Sequence, residues 1–135
     1  MSNIFEKQTS VYMSAWIGVD LDGTLAKYDG YKGPHEIGEP IPEMVNRIKK
    51  WLAEGKVVKI FTARACIKDH IPPVQEYILK HIGVPLEVTN VKDYAMAELW
   101  DDRAVRVRFN EGVSCCDHYE ESFREKSKKL ILPKD

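Results

Sequence analysis

"IGVDLDGTLAKYDG", residues 17–30, decides how this chain is read: an apolar run ends on two aspartates, Asp20 and Asp22, spaced by one residue and followed by Gly23 and Thr24. Crowded carboxylates repel each other and resist losing their water, so such a pair asks for a compensating partner. Two other readings compete with a chemical site. A calcium loop of EF-hand type needs an acid or Asn where Thr24 stands and a Glu where Tyr31 stands, and it fails at both positions. The other is a structural turn punctuated by Asp22-Gly23.

The segments around this stretch alternate in type. "SAWIGVD" (14–20) and "KVVKIFTAR" (56–64) are short apolar runs of the kind buried on both faces of a parallel sheet, and each stops at a polar cluster. Between them, "IPEMVNRIKKWLAEG" (41–55) sets Met44, Ile48, Trp51 and Leu52 at helical spacing, opens near Pro42 and closes on Gly55. A second helix is predicted over 72–83, with Val74, Ile78 and Ile82 on one face and Gly83 as its stop; "VPLEVTN" (84–90) follows as a third strand. "DYAMAELW" (93–100) reads as helix at its start and strand at its end, and "AVRVRF" (104–109) as a further short strand. The expected fold is therefore α/β: a Rossmann-like three-layer sandwich with a mainly parallel central sheet and helices on both sides. Residues 26–41, rich in glycine and proline, form a flap-like loop carrying Tyr28, Tyr31 and His35, read either as a cover for the site or as a plain surface excursion. The tail, 111–135, reads as a C-terminal extension whose "EESFREKSKKL" is an amphipathic helix.

Composition narrows the class. With 135 residues, 44% hydrophobic and 30% charged, the chain suits one catalytic-size domain over 1–135. A net charge of -1 supplies no field to steer nucleic acid or an anionic membrane. No apolar run approaches the roughly 20 residues of a membrane span, and the first residues lack a secretory pattern, which predicts a cytoplasmic protein without a membrane partner. Three cysteines, two of them adjacent, make no disulfide framework, and Cys115, Cys116 and His118 follow no metal spacing.

In an open parallel sheet, ligands bind where the loops diverge at the carboxyl ends of the strands. That edge is expected to collect Asp20, Asp22, Thr62, Arg64, Asp101 and Asp102. Hard carboxylate oxygens gathered there suit magnesium, with a substrate phosphate and waters completing its shell. Two carboxylates in unlike surroundings can divide the work, one ionised as nucleophile or ligand and the other as general acid and base.

"DLDGT", Thr62 closing "KIFTAR", Lys92 in "TNVKD" and the pair in "LWDDRAV" stand in the order of the four motifs of the haloacid dehalogenase superfamily, which the chain resembles over about residues 14–110. This resemblance implies a magnesium-dependent phosphatase working through an aspartyl-phosphate. Asp20 would be the nucleophile and Asp22 the general acid and base. Thr62 would bind a phosphate oxygen, aided by neighbouring backbone N–H groups such as those of Ala63 and Arg64, with Gly23 also against the substrate. Lys92 would neutralise charge, with Lys80 and Lys59 as rivals. Asp102 would ligate the metal beside Asp20 and the backbone carbonyl of Asp22, with Asp101 in or behind that shell. Arg64 and Arg103 read as substrate contacts or as surface ion pairs. The acid at position 22 favours hydrolysis over halide displacement or ion pumping. The short gaps between motifs leave no room for a large cap domain, so water exclusion falls to the flap or a partner subunit of a homo-oligomer, and an open site admits a phosphorylated small molecule, a nucleotide or a nucleic-acid end. "DGTLAK" with "DDR" is also similar to the phosphatase domain of polynucleotide kinase-phosphatases. The alternative class is a binding or regulatory module that keeps the fold without turnover.

Overall fold

The computed structural model describes residues 15–115 and residue 127. The expected helix in the tail, together with Cys116 and His118, lies outside the described residues apart from position 127.

Strand β1 (Trp16–Val19) leads through helix α1 (Pro42–Ala53) to β2 (Val57–Phe61), then through two short 3-10 turns and helix α2 (Ile71–Ile82) to β3 (Val88–Thr89) and β4 (Met96–Trp100). The strands pair in the order β3-β2-β1-β4, and every pairing is parallel. The chain thus winds outward from β1 to β3 and then crosses back to the other side of β1. In open α/β sheets, such a reversal is where the loops beyond the carboxyl ends of the two neighbouring strands, here β1 and β4, diverge.

Alternation along the strands decides which face is packed. Ile17 and Val19 stand beside Val58 and Ile60 in register, and all four join one buried cluster with Ile48 and Trp51 of α1 and Val74, Ile78 and Ile82 of α2. Both helices therefore cover the same face of the sheet among the described residues, where the sequence suggested helices on both. Trp16 and Gly18 face the other way. The Trp16 indole donates to Asp93 Oδ1 at 2.8 Å, and the Lys59 ammonium lies 4.6 Å above its ring. A Cβ at Gly18 would press on Met96 and Leu99 of β4, so the glycine lets that strand lie close.

Both helices follow the apolar spacing, and α2 stops at Gly83, whose φ of 95° an L side chain rarely adopts. Two expectations need correction. The start of "DYAMAELW" is a turn, because the Asp93 carboxylate accepts from the Ala95 N–H at 2.9 Å and the Trp16 indole and so competes with helical bonding. "AVRVRF" joins no strand of the sheet; the residues just after it fold back antiparallel against it, with Val107 bridging Ser114 and Cys115 N–H donating to the Arg106 carbonyl. No helix among the described residues is long and apolar enough to cross a membrane.

Ile60 lies fully buried at the centre of this core. Ile60→Ala should cost about 2–5 kcal/mol of unfolding free energy by urea titration; a loss below about 1 kcal/mol would show that the β2 core is packed otherwise.

Candidate functional site

β1 ends at Val19, and the backbone turns immediately beyond it. Asp20 N–H donates to the Trp100 carbonyl at 2.9 Å, which extends the β1–β4 pairing by one rung. The amides of Leu25 and Ala26 both donate to the Leu21 carbonyl, which curls residues 21–26 into a single tight turn with Leu21 in the core. The strand rule that places residues i and i+2 on one side no longer applies past Val19, and the two aspartates separate.

Asp20 turns toward β4. Its carboxylate and those of Asp101 and Asp102 each bring an oxygen within 4.8 Å of the others. Asp102 is fastened from two directions: Thr24 Oγ1 donates to Asp102 Oδ1 at 3.1 Å and accepts from the Asp102 N–H at 3.1 Å. Gly23, with φ of 91°, passes so close that a Cβ there would lie 2.7 Å from an Asp102 oxygen. Glycine at 23 is thus required twice, by the backbone angle and by the acid beside it. Asp101 Oδ1 accepts from the Arg103 N–H at 2.7 Å. Burial, then the charge of Asp101 and a hydrogen bond shared with Asp102, push the Asp20 carboxyl up to about 8, against a partial opposing pull from the Leu21 N–H. Three carboxylates placed this way could hold a metal ion, whose charge would offset the burial and the repulsion that raise Asp20.

Asp22 turns toward β2. Arg64 Nε donates to Asp22 Oδ2 at 2.8 Å and Arg64 Nη2 to Oδ1 at 3.0 Å, a fork against both carboxylate oxygens. The same guanidinium donates to the carbonyls of Gly33, Pro34 and Glu36, and it lies over the Tyr31 ring at 5.2 Å. All five N–H bonds of Arg64 are used inside the protein. Its side chain is neither a surface ion pair nor free to bind substrate; it ties loop 31–36 to Asp22. The Asp22 side chain is correspondingly absent from the acidic cluster that Asp20 forms.

Thr62 is buried at the end of β2, where its hydroxyl accepts from the Arg64 N–H at 3.2 Å and caps the 3-10 turn (Ala63–Cys66). One of the amides expected to face a phosphate is therefore occupied. Ala63 is exposed beside it. Lys92 is exposed between β3 and β4, and among the described residues no hydrogen bond or ion pair joins it to Asp20, Asp22, Asp101 or Asp102. Lys59 pairs with Glu87 at 2.8 Å instead. The sequence reading passed over Thr24, although it stands inside "DLDGT"; a hydroxyl one turn past an acidic strand end was the available signal.

No protein family, curated protein or solved structure matches the chain.

Two outcomes follow from this geometry. Arg64→Ala strands Asp22 and three loop carbonyls and should lower stability by about 3–5 kcal/mol in urea unfolding; Arg64→Lys, which keeps charge without the fork, should recover less than half. In metal-free protein held in a chelator, folded Asp20 keeps its proton up to about 8, whereas the unfolded chain releases it near 3.8. The folded state then binds the extra proton, so stability should fall as pH rises through that window. Asp20→Asn should flatten this slope, and equal slopes in both proteins would assign it elsewhere.

Proposed function

We propose that the chain is a magnesium-dependent phosphomonoesterase with the fold and chemistry of the haloacid dehalogenase superfamily, lacking a large cap domain and acting on a phosphorylated substrate. The observation that carries this reading is the meeting of Asp20, Asp101 and Asp102 just beyond the carboxyl ends of β1 and β4. A cluster of this kind is costly without a cation and useful with one.

In this reading Asp20, Asp101 and Asp102 hold the cation, which when bound neutralises charge on the acids and on the phosphoryl oxygens. A carboxylate oxygen of Asp20 attacks phosphorus in line with the leaving oxygen and forms an aspartyl-phosphate. Asp22 delivers a proton to the leaving oxygen, then takes one from the water that opens the acyl phosphate and returns Asp20 to its carboxylate. Both Asp22 oxygens accept from Arg64, so this proton traffic requires one of those two bonds to be given up. Thr62 orients the turn at the end of β2, and Gly23 keeps the approach to Asp102 narrow. Lys92, exposed in the loop between β3 and β4, would supply positive charge to the phosphate.

A second reading draws on the Arg64 fork. With its acid–base group held by a buried guanidinium, the chain would bind magnesium and phosphate as a regulatory module without turnover.

Hydrolysis of p-nitrophenyl phosphate separates the two. The enzyme reading expects turnover that depends on magnesium, stops with chelator, and falls by at least about a thousandfold in Asp20→Asn, the loss of a covalent nucleophile. Equal turnover in that variant would remove the proposed nucleophile. Binding of magnesium and phosphate by calorimetry, with no hydrolysis of any phosphomonoester supplied, would favour the regulatory module.

A further inference from the structure

Among the described residues, Arg64 is the one charged side chain that the fold buries, at 6% exposed. A buried cation persists only where both its charge and its donors are met. At Arg64 two different parts of the chain meet them. Asp22 supplies the opposite charge through the fork at 2.8 and 3.0 Å, and the carbonyls of Gly33, Pro34 and Glu36 take the remaining donors at 3.3, 3.3 and 3.0 Å. The other ties of loop 31–36 are weaker or lead back to the same group. The Tyr31 ring lies over the guanidinium, its hydroxyl meets His70 Nδ1 at 3.4 Å, and the Lys32–Asp29 pair stands in solvent. The Glu36 N–H donates to the Gly33 carbonyl at 3.2 Å, an oxygen that Arg64 also holds.

Asp22 is joined to the acidic cluster by the backbone on either side of it. The Leu21 N–H bonds to the Asp20 carboxylate, and Gly23 runs against Asp102, whose oxygen lies 2.7 Å from where a Cβ at 23 would stand. Both Asp22 oxygens are taken by Arg64, so an oxygen that turns to a ligand at those acids leaves the guanidinium. Arg64 then has two responses. It follows Asp22 and drops loop carbonyls, or it stays as a buried cation whose counter-charge has gone. Either response weakens the hold on loop 31–36.

We infer that Arg64 is a positioning residue that makes two states exclude each other: Asp22 held and loop 31–36 fixed, or Asp22 engaged with a bound phosphoryl group and the loop released. The identity of the ligand rests on the phosphatase reading; the response of the loop to occupancy goes beyond it. Such coupling is reciprocal, so anything that fixes the loop from outside also opposes the engagement of Asp22.

The test is hydrogen exchange in the full chain, followed by NMR at the Arg64 Nε–H and the Glu36 N–H, with the Ile60 N–H, bonded to the Glu87 carbonyl, as the core reference. Asp22→Asn keeps the shape of the acid and removes its charge. It should speed exchange at Arg64 and Glu36 at least about tenfold and leave Ile60 unchanged, the mark of a local opening. Orthovanadate with magnesium, a mimic of five-coordinate phosphorus, should do the same to the unaltered protein and add less than about twofold in Asp22→Asn. Magnesium alone should not. Unchanged exchange at Glu36 in Asp22→Asn, bound vanadate that leaves Glu36 unchanged, or acceleration that Ile60 shares would each overturn the inference. Binding of vanadate is read from amide shifts at 20–24 and 101–103. Their absence would remove the phosphatase reading, and Asp22→Asn then decides the latch by itself; where that variant fails to fold, the vanadate arm decides. Hydrolysis of a phosphomonoester by a chain whose loop ignores both changes would keep the phosphatase and sink the latch.

Discussion

The pairing of β4 with β1 is the constraint on which the acidic end of the molecule depends. Among the described residues β4 is the last strand, yet it lies beside the first, and the bond from Asp20 N–H to the Trp100 carbonyl sets the two strand ends level. When ionised, Asp20, Asp101 and Asp102 oppose their own meeting through their charges, although a hydrogen bond joins Asp20 to Asp102. What forces it is burial further down. Gly18 admits Met96 and Leu99, Trp100 packs edge-on against Trp51 with ring centres 5.2 Å apart, and Leu21 is drawn into the core immediately beside the acids. Apolar packing thus offsets the cost of an electrostatic arrangement that repels itself.

The sequence question of why one strand should end on two aspartates has a divided answer. Asp20 faces other acids and Asp22 faces an arginine, so the two never share a compensating charge. The division is made by the turn after Val19. Had the strand continued through Asp22, both side chains would project from the same face and repel directly. The tight turn rotates the second acid away, and Gly23 supplies the backbone angle that makes the rotation feasible. Two carboxylates one residue apart in sequence thereby occupy different electrostatic settings, the arrangement that lets neighbouring acids take unlike roles.

Local features of this fold were legible because they obey short-range rules. Ile48, Trp51, Val74 and Ile78 repeat at helical spacing and are buried, and Gly83 ends its helix with the left-handed angle its position implies. Periodicity says which face is apolar but not which strand is its neighbour, so the register of β4 on β1, with its irregularity beside Trp16, had no sequence signature. The turn at Asp93 was misread for the same reason. Its aspartate bonds to the indole of Trp16, far off in the chain, and that partner cannot be seen in a local window. At the site, residue types pointed to the acids at 20, 22, 101 and 102, whereas Arg64 read as a substrate contact or a surface ion pair. Its burial follows from loop 31–36 closing over it, a tertiary event that no spacing encodes.

That loop explains how the separate features act together. Its ends are fixed: Lys27 N–H donates to the Glu39 carbonyl, Ile41 N–H to the Leu25 carbonyl, and a Cβ at Gly38 would overlap the Lys27 carbonyl oxygen. Between these anchors Arg64 donates to three carbonyls and Tyr31 lies against its guanidinium. Displacing the middle of the loop therefore breaks bonds to the group that also holds Asp22, and releasing Asp22 removes the charge that balances Arg64 beneath the loop. Further along the same loop the Gly38 carbonyl accepts from the Tyr77 hydroxyl of α2 at 2.9 Å, so one run of loop carbonyls joins α2 on one side and Arg64, with Asp22, on the other. A buried guanidinium whose every donor is committed cannot serve one neighbour differently without altering its contacts with the rest.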